Sequence, residues 1–164
     1  MRFFAIAGTA AAHIMFETKM TDYVRAPNLV QSLVQAMLKD PSPGQKVEFE
    51  TCDTDLDVFE FDEDATTVDP NPPQKNADIN FGLAGGLNDE MDLTNIHIHV
   101  DWNSSPLYDE DHAVTEGPFT GDDFNYPLTW NVPSYAFDGI YKINLKGTQD
   151  DGQTVMCINA AFAF

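Results

Sequence analysis

Between Phe124 and Phe164 apolar and polar residues alternate, and a period of two limits this stretch to strands with one buried face. Tyr126, Leu128, Trp130 and Val132 share one face, while Thr129 and Asn131 take the other. Pro133 has no N–H to donate and ends that ladder. After an Asp138-Gly139 turn, Tyr141, Ile143 and Leu145 alternate with Lys142, Asn144 and Lys146. Turn residues follow from Gly147 to Thr154, with Asp150-Asp151-Gly152 among them. A final strand places Met156, Ile158, Ala160, Phe162 and Phe164 on its apolar face and Cys157 on the opposite one. The pattern predicts three antiparallel strands whose strongly apolar face needs a cover.

The upstream sequence supplies more short strands. Val47 and Phe49 alternate with Glu48 and Glu50; Val58 to Phe61 and Thr67-Val68 add β material ahead of Pro70-Asn71-Pro72-Pro73, which forbids a continuous central strand. Ile79, Phe81 and Leu83 form the next apolar face, and Ala84-Gly85-Gly86 reads as a turn. Ile96, Ile98, Val100 and Trp102 alternate cleanly with His97, His99 and Asp101, whereas Asn103 to Thr120 reads as polar, acidic and irregular. Six to eight short strands with no helical period after residue 46 predict an all-β sandwich, in a chain long enough to bury a core.

The run Trp130-Asn131-Val132-Pro133-Ser134-Tyr135-Ala136, then Gly139-Ile140-Tyr141, a hairpin, and Met156-Cys157-Ile158 before a phenylalanine-rich end resembles the C-terminal half of the ML (MD-2-related lipid-recognition) domain. That family includes the Niemann-Pick C2 type sterol carriers and the phosphatidylglycerol/phosphatidylinositol transfer proteins. The resemblance extends from about residue 47 to 164. It implies an immunoglobulin-like sandwich of two antiparallel sheets, no catalysis and no cofactor. It also implies a cavity between the sheets for a sterol, fatty acid or phospholipid tail. The inward positions that would line it are Phe81, Leu83, Ile98, Val100, Trp102, Phe119, Leu128, Trp130, Val132, Tyr135, Phe137, Tyr141, Ile143, Met156, Ile158 and Phe162. Cys52 and Cys157 match cysteines that family members join in a disulfide, which implies a secreted protein or one of the endomembrane or lysosomal lumen.

Residues 1–46 have no counterpart in that resemblance and form a separate extension. Met1-Arg2, the apolar Phe3 to Ala12 and Ala10-Ala11-Ala12 resemble a short secretory signal or pro-segment. Val24, Leu29, Val30, Leu33, Val34, Met37 and Leu38 predict an amphipathic helix over about 23–39, closed by a Pro/Gly linker at 41–44. This segment motivates an alternative function, an extracellular assembly protein that self-associates through residues 1–46. The extension holds five basic and three acidic residues, leaving three basic against 24 acidic ones for 47–164. So acidic a domain is repelled by nucleic acid and by anionic membrane.

Other motifs carry less. His97, His99 and Asp101 share a strand face, as metal ligands or as ordinary solvent-facing residues; zinc needs a fourth ligand and a second shell, so no metal site is assigned. Asp53, Asp55 and Asp57 begin like a calcium loop but lack its glycine and closing glutamate. There is no G-x-S-x-G, Ser134 has no histidine beside it, and Gly85-Gly86 alone is no phosphate loop. Asn103-Ser104-Ser105 is a glycosylation sequon.

Overall fold

The computed structural model describes residues 13–14, 40–52, 58–87, 91–115, 117, 119 and 121–164. Among them, ten strands run in chain order as β1 (His13–Ile14), β2 (Glu48–Thr51), β3 (Phe59–Phe61), β4 (Thr67–Asp69), β5 (Ala77–Leu87), β6 (Asn95–Trp102), β7 (Ser105–Ala113), β8 (Gly121–Val132), β9 (Ile140–Thr148) and β10 (Thr154–Ala163). One sheet has the order β1-β8-β5-β3, with β4 also on β5; the other has the order β2-β10-β9-β6-β7. Every pairing is antiparallel except that of β1 with β8. Among the described residues there is no helix. The helix expected over 23–39 lies outside them, and so does the signal-like Phe3 to Ala12.

The three C-terminal strands do not form one sheet. β9 and β10 pair with each other, whereas β8 pairs with β5 in the opposite sheet. Each apolar face therefore covers the other, and no outside cover is needed. Register makes this work: Ile79, Phe81 and Leu83 lie opposite Trp130, Leu128 and Tyr126, so one sheet presents a solid apolar surface. Ile98 lies opposite Leu145, Val100 opposite Ile143, and Ile143 opposite Ala160 on the facing sheet. All of these are buried.

Two stretches differ from the sequence expectation. Ala84-Gly85-Gly86 is not a turn, because β5 continues to Leu87 and pairs with β3 on one side and β8 on the other. A Cβ at Gly85 would collide with the Glu60 carbonyl oxygen and lie 2.9 Å from the Phe59 ring, so glycine there serves close strand approach. The region 103–120 is not irregular throughout, since Ser105–Ala113 forms β7. As the edge strand of its sheet it carries acids on both faces, which hides its period of two.

Trp102 ends β6 in a tight hairpin whose two turn residues, Asn103 and Ser104, have φ of 47° and 65°. Asn103 Oδ1 accepts from the Ile140 N–H at 2.9 Å, and the Asn103 N–H donates to the Ile140 carbonyl at 2.9 Å. The sequon asparagine thus locks this turn to the start of β9. At the other end of the fold Cys52 and Cys157 form a disulfide that ties β2 to β10. Asn144 Nδ2 sits 3.2 Å from the Cys52 sulfur and donates to Asn159 Oδ1 at 2.9 Å. The linker lies against the same sheet, with Pro41 buried and Asp40 paired to Lys142 at 2.9 Å.

Candidate functional site

The inner faces of the sheets are apolar along their central strands, as the alternation requires, but they do not meet everywhere. At mid-sandwich Phe81, Leu128 and Trp130 of one sheet face Ile98, Val100, Tyr108 and Ile143 of the other across a small cavity. Its volume is only about 10 Å³. That is room for one water, and no lining residue other than Tyr108 carries a hydroxyl.

Trp130 carries the cavity wall into a cluster of aromatic rings. Trp130 packs edge-on against Tyr141 at 6.0 Å and Phe162 at 5.6 Å, and Tyr141 stacks on Phe162 at 5.4 Å. Phe164 closes on the latter two at 5.3 Å each. The Tyr141 hydroxyl donates to the Phe137 carbonyl at 2.9 Å, and burial pushes its pKa up to about 12. The Tyr108 hydroxyl lies 2.6 Å from His112 Nε2 and 3.2 Å from Glu110 Oε2. Burial and the Glu110 charge raise the pKa of this phenol as well.

On the outer face of β6 and β7 the polar residues form a cluster. His97 Nδ1 lies 3.0 Å from Asp111 and His97 Nε2 3.1 Å from Asp109. His99 Nδ1 lies 3.0 Å from Asp109 and His99 Nε2 3.4 Å from Asp101. Hydrogen bonding to Asp101 is the main cause of a raised His99 pKa, opposed by burial and reinforced by Asp109. The His97 contact holds the Asp111 carboxyl below its ordinary range. Among the described residues no group of three or more His, Cys, Asp or Glu side chains is arranged to hold a metal ion. Asp53, Asp55 and Asp57 lie outside the described residues.

No protein-family profile matches the chain. It is 22% identical over 149 positions to a phosphatidylglycerol/phosphatidylinositol transfer protein of Mycosarcoma maydis, covering 84% of this chain and 76% of that one. It is 24% identical over 124 positions to a Dictyostelium discoideum protein assigned the same transfer role by name, covering 72% of this chain and 86% of that one. The chain resembles the ML lipid-recognition family. Among solved structures, a Niemann-Pick type C2 protein from the Japanese carpenter ant aligns over 70% of this chain and 96% of its own length, at 12% identity and a TM-score of 0.47.

Within this ML-like frame the expected lining residues separate into three groups. Phe81, Ile98, Val100, Leu128, Trp130 and Ile143 border the cavity itself. Leu83, Val132, Tyr141, Met156, Ile158 and Phe162 are buried in the surrounding core, with Trp102 and Phe119 partly buried against it. Tyr135 and Phe137 do not point inward; they are 61% and 46% exposed. The physical reason is Pro133: β8 ends beside it, the chain turns with the Ala136 N–H on the Pro133 carbonyl, and the alternation is lost. Phe137 instead packs against Trp102 at 5.0 Å. Tyr108 is not legible from sequence as a lining residue, because three acids, Asp109 to Asp111, follow it on an edge strand.

Proposed function

We propose that this protein is a lipid carrier that holds one apolar ligand between its two sheets and performs no catalysis. The observation that carries this reading is the apolar cavity bounded by both sheets, in a chain whose curated relatives are phosphatidylglycerol/phosphatidylinositol transfer proteins. Cavities that enclose drug-sized ligands measure about 300–1,000 Å³, far above the space open here, so loading requires the sheets to part. Each methylene buried contributes about 0.8 kcal/mol, which gives a long acyl chain or a sterol the drive to do so. The acidic surface disfavours strong selection for an anionic head group.

The Cys52–Cys157 disulfide supports a secreted or luminal setting, since such bridges persist in oxidising compartments. Titration of the full chain with a fluorescent sterol and with fatty acids tests the carrier reading. Saturable binding at one site, with a change in Trp130 emission, is the expected result. A folded protein that takes up no apolar ligand would refute it.

One observation favours a second reading. His13–Ile14 adds in parallel to β8 opposite Thr129 and Trp130, so the extension can supply a strand to a sheet edge. The same addition between two copies would make an assembly protein. Deletion of residues 1–46 separates the readings. A carrier keeps its ligand as a monomer, and an assembly protein loses its oligomers.

A further inference from the structure

The cluster on β6 and β7 has more acceptors than a neutral pair of histidines can serve. Four ring nitrogens each face a carboxylate oxygen, at 3.0 to 3.4 Å. A neutral imidazole has one N–H and one lone pair, so two neutral rings supply two donors for four contacts. The other two contacts then set a ring lone pair against a carboxylate. Only the two Nδ1 contacts have hydrogen-bond geometry, and doubly protonated rings would set a positive charge, in place of a lone pair, beside the carboxylates at Nε2. Asp101 Oδ1 makes the same point from the other side: it is buried with no hydrogen-bond partner, and a protonated His99 Nε2, 3.4 Å away, would set a positive charge beside it.

We infer that His99, held between Asp101 of β6 and Asp109 of β7, is a proton-binding site whose imidazolium fastens the edge strand β7 to β6 in acid and loosens it as the ring becomes neutral. The charges around the site agree. Asp101 lies on β6, and Asp109 and Asp111 on β7, while β9 presents Lys146 opposite His97, Asn144 opposite His99 and Lys142 opposite Asp101. Lys146 opposes protonation, and Lys142 is taken up by Asp40. Three carboxylates in direct contact outweigh the one remaining lysine. Glu110, His112 and Tyr108 occupy the opposite face of β7, where the Tyr108 hydroxyl contacts the other two.

The sign follows from linkage. His99 has a raised folded-state pKa, so its contribution to stability is complete below the unfolded value of 6.5 and is lost as pH rises through the folded value. Ordinary carboxylates do not titrate in that window, which separates this effect from general relief of acidic repulsion. If the lipid-carrier reading holds, the site also governs loading. β6 contributes Ile98 and Val100, and β7 contributes Tyr108, to the cavity on the inner face, so a loosened β7 unseats Tyr108.

An NMR titration of the imidazole signals of the full chain, with hydrogen exchange of the β7 amides corrected for intrinsic rate, tests the site without any ligand. The expected result is a His99 midpoint above 6.5, and β7 exchange that is faster at pH 8 than at pH 6. Asp109→Asn lowers the His99 midpoint and weakens the pH dependence of β7 exchange. A His99 midpoint at or below 6.5, or β7 exchange that ignores pH in the wild type, overturns the proposal, and neither measurement depends on a variant folding. Uptake of dehydroergosterol, which has no ionisable group, is measured in parallel at both pH values. Absence of uptake at either pH counts against the carrier reading alone, whereas uptake at equal rates counts against control of loading by this site.

Discussion

Replacing Trp130 by alanine probes the packing and the cavity together. The side chain is 6% exposed, spans the space between the sheets and packs on Tyr141 and Phe162. Truncating a buried tryptophan to alanine costs about 3–5 kcal/mol, from lost transfer energy and the void left behind. Two edge-on aromatic partners, each contributing about 0.5–1.5 kcal/mol beyond area, place the expected loss in the upper half of that range. Because such domains have about 5–15 kcal/mol of stability in all, the variant stays folded but melts early. Urea unfolding of ligand-free protein, followed by far-ultraviolet circular dichroism, gives the difference directly. A loss below about 1.5 kcal/mol, well under the range for a packed tryptophan, would mean that Trp130 is not held between those rings in solution. The same variant widens the cavity that Trp130 borders, so it should accept a sterol faster than wild type does.

Cys52→Ser opens a loop of 105 residues and should cost about 4–5 kcal/mol on the chain-entropy account, read as a drop in urea midpoint that added reductant reproduces in the wild type. Gly85→Ala forces a methyl against the Glu60 carbonyl and should cost about 1–3 kcal/mol, the usual penalty for overpacking; an unchanged melting temperature would contradict the close approach of β3 to β5. Asn103→Ala removes the acceptor for the Ile140 N–H, at a cost of about 1 kcal/mol for the bond and more for an alanine at positive φ, visible as faster exchange of the Ile140 amide. Tyr141, with its pKa raised to about 12, is protonated in the fold where the unfolded phenol has begun to ionise. Its contribution to stability is therefore complete below pH 10 and is lost as pH rises towards 12, which ultraviolet titration of the phenolate band follows.

Much of the sandwich is legible in the sequence because burial on one face imprints a period of two. Ile79 to Leu83, Ile96 to Trp102 and Tyr126 to Val132 all appear as strands where the alternation puts them. Two things are hidden for physical reasons. A glycine pair looks the same whether it turns the chain or admits a crossing strand, so the sequence ends β5 at Leu83 although it continues to Leu87. An edge strand that is wet on both sides need not alternate, so β7, and Tyr108 with it, reads as loop. Sheet partnership is also invisible, since nothing in the period says that β8 leaves β9 and β10 to join β5. The histidine face stands out for its two rings, but its meaning lies in Asp109 and Asp111, which only the β6–β7 register brings beside them.

Native mass spectrometry of the full chain, after incubation with a mixed lipid extract and removal of the excess, tests the central claim most directly. The account predicts one bound lipid or sterol per chain, lost on unfolding and reduced in competition with dehydroergosterol. A folded, disulfide-bonded protein whose mass stays that of the bare polypeptide would contradict it.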